Sequence, residues 1–177
     1  MISITGALGV KPAARAALLP HLGIVISGGN TLLVRLGADL SIQVVARTVD
    51  DAAGEAFDKI ARIMDLGFPG GPLIDKLAKT GDANKIDFPR GLSNSKDIAE
   101  HQFDFSFSGL KTAVLYAWQK LNQSGIFFSS SKKSYKIAMA KEIQQAVIDV
   151  LIKKTIKAAK DYKVKAIILG GGVSANK

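Results

Sequence analysis

The chain has 177 residues, enough for one globular domain with a substantial core, and its 47% hydrophobic and 22% charged residues exclude extended disorder. It has no cysteine, which excludes disulfides, cysteine nucleophiles, thiolate zinc sites and iron–sulfur ligation, and its two histidines, His21 and His101, fit no local metal-ligand spacing. The charge is uneven: residues 1–110 carry 11 Lys and Arg against 12 Asp and Glu, whereas 111–177 carry 13 against 3.

A basic excess confined to the last third implies a surface for a polyanion, either nucleic acid or an acidic partner; a solvated lysine-rich helix is the plain alternative. No apolar run approaches the roughly 20 residues of a membrane span, so a soluble chain without a membrane partner is expected. The first 38 residues hold no acid, which weakly resembles an organelle transit segment and fits an irregular domain start equally well.

Residues 1–21 show no clear period and are read as an irregular remnant of a first lobe or a non-native start; residues 22–177 are read as one lobe, truncated at its C-terminal end. Three apolar segments, 22–27, 31–36 and 42–49, are divided by Gly28-Gly29-Asn30 and Gly37-Ala38-Asp39, the pattern of a three-stranded antiparallel meander. The first divider has two readings. Ser27-Gly28-Gly29 can be a tight hairpin turn, or an anion cradle whose free N–H groups no Cβ obstructs.

Thr48 and Asp50 offer N-caps for a helix over about 51–65, with Ala53, Ala56, Phe57, Ile60, Ile63 and Met64 on its apolar side. Its polar side carries Asp51, Glu55, Asp58 and Arg62, with an Asp58–Arg62 pair at i,i+4. Gly67-Phe68-Pro69-Gly70-Gly71-Pro72 ends that helix, and a second follows over 72–79. Residues 81–104 read as a surface loop and Phe103–Ser108 as a half-buried strand before a helix over 110–121. A second loop over 123–134 precedes a long helix over about 135–160. Val164–Leu169 is a short buried strand running into Gly170-Gly171-Gly172, a second turn of the same physical kind as that at Ser27.

Five motifs occur in order: Val25-Ile26-Ser27-Gly28-Gly29-Asn30-Thr31, Thr48-Val49-Asp50-Asp51-Ala52-Ala53-Gly54-Glu55-Ala56-Phe57-Asp58-Lys59, Gly67-Phe68-Pro69-Gly70-Gly71-Pro72, Phe105-Ser106-Phe107-Ser108-Gly109-Leu110-Lys111-Thr112 and Gly171-Gly172-Val173-Ser174-Ala175-Asn176. Over residues 22–177 this series resembles the tRNA threonylcarbamoyladenosine transferase family. The resemblance implies an α/β fold: an RNase H-like half-domain of the actin-like ATPase superfamily, with antiparallel meander, helical insertion over about 66–135 and a parallel strand, incomplete relative to the two-domain family fold.

The resemblance further implies transfer of a threonylcarbamoyl group from threonylcarbamoyl-adenylate to N6 of the adenosine beside the anticodon in tRNA. The adenylate would be bound at Val25, Ile26, Ser27, Gly28, Gly29, Asp58, Gly71 and Asn176, and Lys132, Lys133, Lys136 and Lys141 are candidate tRNA contacts. Asn30 stands where the family's usual residue is histidine. Family members also hold one divalent metal ion, iron or zinc, with a histidine pair ahead of the Ser-Gly-Gly strand and an aspartate beyond the Gly-Gly-Val loop. His21 is alone in that region, so no metal ligand or catalytic residue is assigned here, and inactivity of the chain by itself is expected. Expected partners are tRNA, a related non-catalytic subunit and an ATPase of the same pathway, in the cytoplasm or an organelle. The alternative is a non-catalytic binding subunit of the same pathway; a small-molecule kinase lacks an assignable catalytic aspartate.

Overall fold

The computed structural model describes residues 18–79, 86–123 and 129–175. Strands β1 (His21–Ile26), β2 (Thr31–Leu36) and β3 (Ile42–Arg47) form the expected meander, and β4 (Ala166–Gly170) joins its other side, giving the order β3-β2-β1-β4. β1 runs antiparallel to β2, with Ile26 opposite Thr31, and parallel to β4, with Ile24 opposite Leu169. The elements match the half-domain expected from the sequence.

One face of this sheet carries Leu22, Ile24, Ile26 and Leu33, all at most 6% exposed. Two helices share a core with that face. Helix α1 (Ala53–Ile63) contributes Phe57 and Ile60, and the long helix α5 (Ser129–Asp161) contributes Ile143, Val147 and Val150. Helix α2 (Gly70–Ala78) packs on both through Ile74 and Ala78. Helix α4 (Ser108–Gln123) adds Leu110, Val114 and Trp118. Apolar side chains at helical spacing supply this cohesion, which scales with the area removed from water.

Five local expectations are corrected. Helix α1 starts after Ala52, and neither Thr48 nor Asp50 caps it. Its first N–H groups reach the β1–β2 hairpin instead: Ala53 N donates to Thr31 Oγ1 at 2.9 Å and Gly54 N to Ser27 O at 3.2 Å. Asp50 serves a different helix, accepting from Ser106 Oγ at 2.5 Å, Phe107 N at 2.8 Å and Ser108 N at 3.3 Å at the start of α4. The Asp58–Arg62 pair is absent among the described ion pairs, because Asp58 Oδ1 accepts from Gly70 N at 2.7 Å.

The strand expected over Phe103–Ser108 reduces to one parallel bridge between Thr48 and Phe105. The alternation was read correctly, since Phe105 and Phe107 are both buried and stack at 6.5 Å, but α4 begins at Ser108 and leaves no length for a strand. The stretch read as a loop before residue 104 contains a short helix, α3 (Ser95–Glu100), too brief for a period to show. The loop read over 123–134 ends at Ser129, where α5 begins six residues before the expected start; its polar Ser and Lys letters conceal the helical period. Residues 124–128 lie outside the described residues.

Buried charges fasten the insertion to α5. Arg90 donates to Asp149 at 2.8 Å, to Glu142 and to Phe88 O at 2.7 Å, and Glu142 is 3% exposed. Lys154, equally buried, donates to His101 O at 2.7 Å. Charges taken out of water persist when each is paired in this way.

Candidate functional site

β1 ends at a turn in which Ser27 N donates to Asn30 O at 2.8 Å and Ser27 Oγ accepts from Asn30 N at 3.0 Å. The hairpin reading of this turn is therefore correct, and it leaves Gly28 and Gly29 exposed. The glycines around it divide into two kinds. A Cβ on Gly54 would lie 2.6 Å from Ser27 O and 2.8 Å from Gly28 Cα, so α1 presses directly against the turn. A Cβ on Gly70 would lie 2.5 Å from Phe57 O and 2.7 Å from Asp58 Cα, so α2 starts against the middle of α1.

Gly28, Gly29, Gly71 and Gly172 are of the other kind: a Cβ there would meet nothing within 4 Å. Three of these four line a cleft of about 280 Å³, together with Gly54, Asp58, Pro69, Pro72, Asp75, Val173 and Ala175. The floor is main chain, and the start of α2 adds the positive end of a helix. Gly171, whose φ is +102°, turns the chain out of β4 into a 3₁₀ turn, Gly172–Ala175, held by Ser174 N donating to Gly171 O at 3.1 Å. Without a side chain at 171 that left-handed conformation carries no strain.

Of the expected binding residues, Gly28, Asp58 and Gly71 line the cleft. Ser27 and Gly29 belong to the turn at its rim, with the Ser27 hydroxyl engaged inside the turn. Val25 and Ile26 stand behind it in β1, and the Ile26 side chain is in the core. Asn176 lies outside the described residues, one position after Ala175. Sequence reasoning missed Asp75, which sits four residues after Gly71 and so on the same side of α2, a spacing that could have revealed it. Its carboxylate accepts from Gln144 Nε2 and pairs with Lys79, each at 3.4 Å.

Asp51, at the entry to α1, accepts from Lys59 at 2.6 Å and Lys111 at 2.9 Å. Burial alone would raise its pKa, but hydrogen bonds from these lysines outweigh that and hold the carboxyl below the ordinary aspartate range. Lys59, bonded to Asp51 and Glu55, is correspondingly raised.

Among the described residues no group of three or more His, Asp or Glu side chains could hold a metal ion. His21 is buried in β1, its Nδ1 has no hydrogen-bond partner, and burial lowers its pKa. These residues therefore do not fit the metal that the resemblance implies.

The basic residues do not form one stripe. Lys133 is exposed, Lys136 lies 5.2 Å over the Trp118 ring, and Lys141 is half-buried. At about 100° per residue Lys141 stands roughly 140° around α5 from Lys136. Lys132 belongs to α5, but its side chain lies outside the described set.

The cleft joins β1, α1, α2 and the turn after β4, the regions that hold four of the five motifs. The family model for tRNA N6-adenosine threonylcarbamoyltransferase matches residues 5–177. The chain belongs to this family. Similar curated relatives carry the same name: that of Thermosipho africanus is 50% identical over 157 residues, covering 89% of this chain and 44% of the relative. The Corynebacterium diphtheriae relative is 44% identical over 161 residues, and that of Chlorobaculum tepidum is 42% identical over 169. The chain spans less than half the length of these relatives, between 44% and 46%. Its mixed sheet and helices make part of the family's RNase H-like fold.

Proposed function

We propose that this cleft holds the adenylate part of threonylcarbamoyl-adenylate and serves the family reaction. The observation that carries the reading is the convergence of Gly28, Asp58, Gly71 and the Gly172–Ala175 turn on one cleft that no Cβ fills. Main-chain N–H groups at Gly28 and Gly172 would meet phosphate oxygens, as glycine turns do. One Asp58 oxygen is committed to Gly70 N, and the other would accept from a ribose hydroxyl. Gly71 would let the sugar or base lie flat against α2, and Asn176 would offer a donor and an acceptor.

In the reaction, N6 of the tRNA adenosine attacks the carbamoyl carbon. The bond from that carbon to the phosphate oxygen breaks, AMP leaves, and N6 loses a proton. In this reading the described residues bind and orient the adenylate. The tRNA would be met by basic residues of α5, among them Lys133 and Lys136.

A second reading, which the name shared by the relatives does not favour, is a non-catalytic binding subunit working with a related subunit and an ATPase. The deciding experiment incubates the purified chain with threonylcarbamoyl-adenylate and unmodified tRNA, and quantifies the modified nucleoside and AMP. Adenylate binding with transfer supports the first reading, binding without transfer the second. Absence of adenylate binding would remove both.

A further inference from the structure

Asp51 is not part of the cleft's lining, yet the segment it anchors decides where one wall of the cleft stands. Helix α1 has no side-chain cap of its own. Its first amides are committed to the β1–β2 hairpin, Ala53 N donating to Thr31 Oγ1 at 2.9 Å and Gly54 N to Ser27 O at 3.2 Å. Gly54 also presses on the main chain of Gly28, so the position of that turn follows the position of the start of α1. Asp51 lies just ahead of this start and is held three ways. Its carbonyl accepts from Thr48 Oγ1 at 2.8 Å, one carboxylate oxygen accepts from Lys59 of α1 at 2.6 Å, and the other accepts from Lys111 of α4 at 2.9 Å. The Asp51 side chain is only 12% exposed.

We infer that Asp51 is a positioning residue for the adenylate: through Lys111 and the start of α1 it holds the turn at Gly28 where that amide meets a phosphate. The inference rests on the cleft reading above. The cluster is not itself a phosphate site, because Lys59 pairs with Glu55 as well, at 2.9 Å, so two carboxylates offset two lysines. Direct contact and positioning predict opposite signs. Were Lys111 to act on the phosphate, removing the Asp51 charge would free that lysine and tighten anion binding; acting through the backbone, the same removal weakens it.

The test is calorimetric titration of AMP into the full chain and its variants. Asp51→Asn and Lys111→Met are each expected to weaken AMP binding about tenfold, and the double variant no further than either, as residues acting in one unit do. Lys111→Arg, which keeps a donor to Asp51, should restore the parent's affinity. Val114→Ala truncates a buried side chain of α4 away from this cluster and controls for loss of stability; it should bind AMP as the parent does. Amide shifts of Gly28 and Gly29 in the ligand-free protein should move in Asp51→Asn and Lys111→Met but not in Val114→Ala. Parent-like or tighter AMP binding by Asp51→Asn would overturn the inference, and so would an equal loss in Val114→Ala. A parent that binds no AMP would remove the cleft reading as well, which distinguishes the two failures.

Discussion

The substitution Gly71→Ala separates a glycine kept for a ligand from one kept for packing. No atom lies within 4 Å of a Cβ at Gly71, so the free protein accommodates the methyl. A helical glycine costs roughly 0.5–1 kcal/mol relative to alanine, so the fold should gain a few tenths to about 1 kcal/mol and melt roughly 1–4 °C higher. The same methyl stands in the cleft, where overlap with a bound adenylate should cost about 1.5–3 kcal/mol, a loss of roughly ten- to a hundredfold in affinity. Gly54→Ala gives the opposite pattern. Its Cβ would sit 2.6 Å from Ser27 O, 2.8 Å from Gly28 Cα and 2.9 Å from Gly28 N, all main chain that cannot swing aside. That overpacking should exceed the propensity gain and lower the melting temperature. Thermal melts by circular dichroism, with calorimetric titration of AMP, read both quantities. A Gly71→Ala protein that melts lower and binds AMP as the parent does would refute the division of the glycines.

Asp50→Ala removes the acceptor for Phe107 N and Ser108 N, which should cost about 0.5–2 kcal/mol, as loss of a helix cap does, and speed hydrogen exchange at those two amides. The Asp51 carboxyl is held below its ordinary value, so its contribution is fully present above about pH 4 and is lost as pH falls through the lower folded value. An acid titration of stability should therefore show a loss in the parent that Asp51→Asn lacks. Lys133→Glu should weaken tRNA binding and reduce its salt dependence while leaving AMP affinity unchanged; an unaltered tRNA affinity would make Lys133 a solvated surface residue.

The sheet was legible in the sequence because apolar runs broken by Gly-Gly-Asn and Gly-Ala-Asp carry their own register, and β4 stood out as a run ending in three glycines. The partners of Asp50 and Asp58 were not legible. Both side chains reach N–H groups at the start of a helix that the chain delivers later, 57 residues on for Phe107 and 12 for Gly70, and no local pattern encodes such a meeting. The same holds for Arg90 with Asp149, 59 residues apart. The start of α5 was hidden because Ser129–Ser134 has no apolar residue to mark a turn. At the cleft, the motifs marked Gly28, Asp58 and Gly71, but only the fold shows that Gly54 and Gly70 are packing glycines, whereas Gly71 and Gly172 face open space.

The proposed position of the adenylate is between the turn after β1 and the turn after β4. Amide chemical shifts of the ¹⁵N-labelled chain, followed during titration with a non-hydrolysable threonylcarbamoyl-adenylate analogue, test it most directly. Saturable shifts are expected to concentrate at Gly28, Gly29, Gly71 and Gly172, positions where an added Cβ would meet no neighbour. Shifts concentrated instead at Ile152, Ile156, Ile167 and Leu169, which line a separate apolar groove between α5 and β4, would contradict it.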